Sequence, residues 1–100
     1  MLNRFVIAAA AIVMTTPLAM AGPIDSACVR SDRGAANRAL CGCVQQVANM
    51  TLSSGDQRRA AAFFRDPQQA QNVRMSKRDA DNAFWARYRN FAAQSERLCR

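Results

Sequence analysis

Four cysteines, at positions 28, 41, 43 and 99, constrain this chain more than any other feature. Cys41 and Cys43 are separated only by Gly42, inside a stretch from Ala35 to Thr51 that has helical periodicity. On a helix, residues two apart point roughly 160° away from each other. A disulfide needs Cβ atoms about 3.5 to 4.5 Å apart, so a bridge between Cys41 and Cys43 is hard to make there. Each margin of this helix therefore staples a different segment. Either Cys28 joins Cys41 and Cys43 joins Cys99, or the pairing is crossed; a hairpin turning near Gly34 brings Cys28 closer to Cys41 and favours the first arrangement. The competing expectation is redox chemistry. Gly42 costs roughly 1 kcal/mol relative to Ala in a helix interior, and a locally non-helical Cys41-Gly42-Cys43 would be a labile dithiol pair.

The bridges need an oxidising compartment, and the sequence supplies an address for one. Arg4 is followed by an apolar run from Phe5 to Met14, then Pro17, then Ala19-Met20-Ala21. A basic start, an apolar stretch and an A-x-A end are the pattern of a secretory signal peptide. The apolar run falls short of the roughly 18 to 20 residues that a bilayer span requires. Residues 1–21 are read as the signal peptide and 22–100 as one disulfide-stapled helical domain, exported to the periplasm or beyond as a bacterial secreted protein. No transmembrane segment is expected after cleavage. A domain this small gains only marginal stability from one apolar core, which gives the disulfides a structural purpose.

The mature part reads as all-α, a small bundle of three to five short helices. The first candidate covers Ile24 to Ser31, and Ser31-Asp32-Arg33-Gly34 reads as a turn. On the wheel of the second, centred on Leu40, the core arc takes in Ala36, Cys41, Cys43, Val44, Val47, Ala48, Met50 and Thr51. It leaves Arg38, Gln45, Gln46 and Asn49 to solvent. A hydroxyl N-cap at Ser53 or Ser54 precedes a third helix over Gln57 to Arg65, with Ala60, Ala61, Phe63 and Phe64 in its core. Asp66-Pro67 starts a fourth over Gln68 to Arg74, burying Ala70 and Val73. Ser76 and Asp79 resemble a capping box for the longest helix. There Phe84, Tyr88, Phe91 and Leu98 form the core stripe, flanked by Trp85, Ala92 and Cys99.

Charge and composition narrow the function. The chain carries 14 Lys and Arg against 7 Asp and Glu, with a formal charge of +7 and no histidine. Without histidine, His-dependent triads and His-based metal centres are excluded, and the cysteines lack the paired C-x-x-C elements of zinc modules. No metal and no cofactor are expected. The carboxylates mostly stand at helix starts, where capping and the helix dipole explain them, and no pair suited to hydrolysis stands out. No catalytic residue is assigned and no enzyme is expected. After Ala21 every basic residue but Lys77 is arginine. The planar guanidinium fork suits carboxylate, sulfate and phosphate, so this basic, arginine-rich surface points to a protein or polyanion partner. Arg58, Arg59, Arg65, Arg87 and Arg89 are the candidate partner-binding residues. Nucleic acid is not expected, because the basic residues are scattered and the export signal removes the usual targets. Asn49-Met50-Thr51 matches a glycosylation sequon, but it falls within a helix.

Several segments carry a resemblance: Gly22-Pro23-Ile24-Asp25, Cys28-Val29-Arg30-Ser31, Leu40 to Ala48 with its Cys-Gly-Cys, Asp56 to Ala61, Phe63 to Gln68, and Phe84-Trp85. Together they make the chain similar to a family of small exported proteins of marine alphaproteobacteria. Members of that family often carry the label "arginine transporter". The resemblance spans nearly all of residues 22–100 and brings no assigned catalytic or binding residues. It implies an accessory role in amino-acid uptake, because nothing after Ala21 could itself cross a membrane.

Overall fold

The structure is a computed structural model that describes residues 22–31 and 37–99. The leader, most of the expected Ser31–Gly34 turn and Ala36 lie outside the described residues. Those described form five helices and no strand: α1 (Pro23–Arg30), α2 (Arg38–Thr51), α3 (Ser54–Arg65), α4 (Pro67–Met75) and α5 (Asp79–Leu98). The all-α expectation holds at the upper end of its range of helix number. α1 packs on α2 and α3, α5 packs on α2, and α4 closes the bundle between α3 and α5.

Local chemistry starts and stops these helices. Asn37 accepts the Leu40 N–H and opens α2, while Ser53 accepts the Asp56 N–H and opens α3 three residues earlier than its apolar pattern begins. Asp66 ends α3 and caps α4, accepting the Gln68 N–H, and Pro67 occupies the first helical position where a missing N–H costs nothing. The expected Ser76–Asp79 capping box does not form. α5 starts at Asp79, so the register shifts by two: Arg78 is the N-cap, with no side-chain bond, and Asp81 holds the third helical position. Ser76 instead donates to Asp81 (2.6 Å) and accepts the Arg78 N–H.

Both bridges take the favoured pairing, Cys28–Cys41 and Cys43–Cys99, and no cysteine is free. α2 runs unbroken through Gly42, so the two cysteines stand on opposite margins of one helix. Constraining the unfolded chain by loops of this length stabilises by roughly 3 and 4 kcal/mol respectively on the closure-entropy account.

The face that α2 buries differs from the expected one. Cys41, Gly42, Gln45, Val47 and Ala48 are its buried residues, whereas Leu40 is 38% exposed and Met50 70% exposed. The arc is rotated toward Gln45 because α1 covers that side, and a hydrophobicity wheel cannot register a glutamine as core. Gln45 is only 1% exposed. Its Oε1 accepts the N–H groups of Ile24 and Asp25, both at 2.9 Å, and its Nε2 donates to Asn49 Oδ1 and to Gln57 Oε1. Gln57 Nε2 in turn donates to Asn49 and to the Leu52 carbonyl. All four hydrogen-bonding positions of Gln45 are filled, which is what makes burying it tolerable. The first turn of α1 has no side-chain cap of its own; proline at its start removes one orphan donor and Gln45 satisfies the next two. A Cβ on Gly22 would collide with the Gln45 side-chain amide, so glycine is needed there for close approach rather than for backbone freedom.

The other half of the core is aromatic. Phe84 and Phe91 are buried on α5 and Phe63 on α3, with Tyr88, Trp85 and Phe64 packed against them. Phe63 meets Phe84 and Tyr88 edge to face at 5.9 and 5.1 Å between centroids, the arrangement that the ring quadrupoles favour. Leu98, expected in the stripe, is 52% exposed. It lies in the last turn of α5, where the chain passes to the Cys99 bridge.

Candidate functional site

The five arginines singled out by sequence do not form one patch. At 100° per residue, Arg58 and Arg65 share a face of α3 while Arg59 points well away from it. Arg59 pairs with Asp81, and its guanidinium lies 4.5 Å from the centre of the Phe84 ring. Arg87 forms a forked pair with Asp56, with Nε–Oδ2 at 2.6 Å and Nη2–Oδ1 at 3.2 Å. Both pairs clamp α3 to α5, so these two arginines do structural work at the flank of the aromatic cluster. Hydrogen bonding to the Asp56 carboxylate raises the pKa of Arg87 further. The Asp81 carboxyl is held below its ordinary value first by the Ser76 hydroxyl and then by Arg59. Arg58, Arg65 and Arg89 are exposed, and none pairs with a carboxylate among the described residues.

Arg87 and Arg89 lie on opposite margins of the buried stripe of α5. Arg89 turns toward α4, where it joins Arg74, Gln71 and Trp85 around a cleft of about 420 Å³. Arg74 is not one of the five sequence candidates; the signal that finds it is spatial, since only the docking of α4 on α5 brings it beside Arg89. Next to this cleft lies a larger apolar groove of about 570 Å³ whose wall includes Leu40, Val44, Phe63, Phe64, Pro67 and Tyr88. Gln71 lines both cavities. The Trp85 ring on the cleft side and the Tyr88 ring on the groove side are 5.2 Å apart between centroids. Burial raises the pKa of the Tyr88 hydroxyl. A third depression, between α1 and α2, is lined by Asp25, Arg30 and Arg38 among others.

No cluster of metal-ligating side chains occurs among the described residues. No helix among them is long and apolar enough to cross a membrane. The Cys41-Gly42-Cys43 motif is occupied on both sides by bridges to other helices. The Asn49 side chain of the sequon accepts from Gln45 and Gln57 inside the polar network. Comparison with family models, curated proteins and solved structures finds no match to the chain.

Proposed function

We propose that this is a small exported, non-enzymatic binding protein whose arginine surface takes an anionic partner, either a polyanion or an acidic face of another protein. One observation carries the reading. The carboxylates of Asp56 and Asp81 are engaged by Arg87 and Arg59, while Arg58, Arg65, Arg74 and Arg89 present exposed guanidinium groups with no carboxylate partner among the described residues. Free guanidinium forks on a rigid, cross-linked frame are suited to carboxylate, sulfate or phosphate oxygens. Two disulfides suit an oxidising compartment and support the leader read over residues 1–21.

The test is retention of residues 22–100, with both bridges formed, on an immobilised sulfated polysaccharide. The expected result is retention at about 0.15 M ionic strength with elution at higher salt, as screening predicts. Arg58→Gln with Arg65→Gln should elute earlier than the parent chain. Passage of the parent chain without retention, on this matrix, past anionic lipid vesicles and on an immobilised acidic polypeptide alike, would overturn the reading.

A further inference from the structure

We propose that the apolar groove and the arginine cleft beside it form a single site for a small amphipathic anion. This narrows the reading above, on which it rests, from anionic partners in general to a molecule with one charged head and one apolar body. The groove, about 570 Å³, falls within the roughly 300 to 1,000 Å³ typical of small-molecule sites. Its walls are side chains the fold leaves incompletely covered: Leu40 is exposed, and Val44, Phe64 and Tyr88 are half-buried. An alkyl or aromatic body lying there would complete their burial, the ordinary driving force for taking up apolar surface.

The charge lies at one end of this surface. Gln71 is common to groove and cleft, and beyond it Arg74 from α4 and Arg89 from α5 line the same cleft as Trp85. Neither arginine has a carboxylate partner among the described residues, in contrast with Arg59 of α3 and Arg87 of α5, which are paired with Asp81 and Asp56. A carboxylate, sulfate or phosphate head in the cleft would supply the missing counter-charge, with the Gln71 amide at the junction. The two parts are separately poor sites. A simple anion in the cleft forgoes the apolar groove, and an uncharged hydrocarbon in the groove leaves both guanidinium groups unpaired.

The chain has one tryptophan and one tyrosine, Trp85 on the cleft and Tyr88 on the groove, so each half carries its own reporter. Dodecanoate is titrated, below its micelle concentration, into residues 22–100 with both bridges formed while Trp85 fluorescence is followed. A saturable one-to-one change is expected. Dodecanol, which has the tail without the charge, and acetate, which has the charge without the tail, should each bind at least about tenfold more weakly. Arg74→Gln with Arg89→Gln should weaken dodecanoate by a similar factor. Ala70 of α4 also lines the groove, and Ala70→Phe, which fills it, should weaken binding independently. Arg97→Gln, at the far end of α5, should not change it. Each variant is first shown to keep the parent far-ultraviolet spectrum and melting transition.

Dodecanoate binding that is unchanged in the double arginine variant, or that fails to saturate, would refute the site as nothing more than detergent adsorption. Failure here with retention on the polysaccharide intact overturns this site and spares the wider reading. Failure of both overturns both.

Discussion

α1 and α5 are each tied to α2 by a disulfide, and almost everything else about how they are held differs. α1 has eight residues, too few to persist as a helix by itself. It is docked by Ile24, Ala27 and Cys28, by the hydrogen bonds of Gln45, and by a bridge closing a short loop. α5 has 20 residues and is docked by rings, Phe84 and Phe91 above all, by two arginine–carboxylate pairs to α3, and by a bridge across a separation of 56 residues. The difference shows two solutions to one small core. Where apolar area is scarce, a fully satisfied polar network fixes position; where it is plentiful, area provides stability and the polar contacts are left at the rim.

The largest loss should follow from emptying the aromatic side. Phe84→Ala is expected to cost about 3 to 5 kcal/mol, read as a lower denaturation midpoint with both disulfides kept. Next come the bridges. Replacing Cys43 and Cys99 with serine should cost about 4 kcal/mol, and replacing Cys28 and Cys41 about 3. The site of the loss separates them more sharply than its size. Without Cys28–Cys41, amide exchange should quicken at Ile24 to Cys28 while the amides from Phe84 to Phe91 keep most of their protection. Without Cys43–Cys99, protection should fall throughout. Equal loss in both helices from the first variant would show that α1 and α5 are not separate docks.

What the sequence made legible follows the same division. The all-α class, the caps at Ser53 and Asp66, and the aromatic stripe at Phe84, Tyr88 and Phe91 are readable because capping residues and 3.6-residue periodicity are local signals, whereas the helix number stays open at three to five. Helix geometry excludes only a Cys41–Cys43 bridge and leaves the direct and crossed pairings open; the short connection near Gly34, which brings Cys28 toward Cys41, is what favours the pairing found. The helical wheel puts Gln45 on the solvent side because its burial depends on donors from α1, about twenty residues away in sequence. The cleft was equally hidden, since Arg74 and Arg89 meet only through the packing of α4 on α5. Gln45→Leu sharpens this point. It keeps the volume roughly but strands the Ile24 and Asp25 N–H groups and removes partners from Asn49 and Gln57. A loss of about 2 to 3 kcal/mol is expected, concentrated in α1 by amide exchange. A neutral result would mean that water replaces the network without cost.

The smallest expected effect distinguishes the two sides by pH. The Gln45 network is uncharged, whereas the two ion pairs among the described residues both join α3 to α5. Asp81 has its pKa lowered from the ordinary 3.8, first by the Ser76 hydroxyl and then by Arg59. A carboxyl whose folded-state pKa is depressed stabilises fully above its unfolded value, and the contribution disappears as pH falls through the folded value. Asp81→Asn should therefore melt slightly below the parent at neutral pH. The gap should narrow as the pH drops beneath about 4, where the parent loses the same charge. Because the pair is at the surface, salt should narrow the gap as well. In the same acid range, amide exchange should quicken first at the start of α5 and leave the first turn of α1 unchanged. If α1 loosens first instead, the polar dock depends on charge that its hydrogen bonds do not contain, and the contrast between the two helices fails.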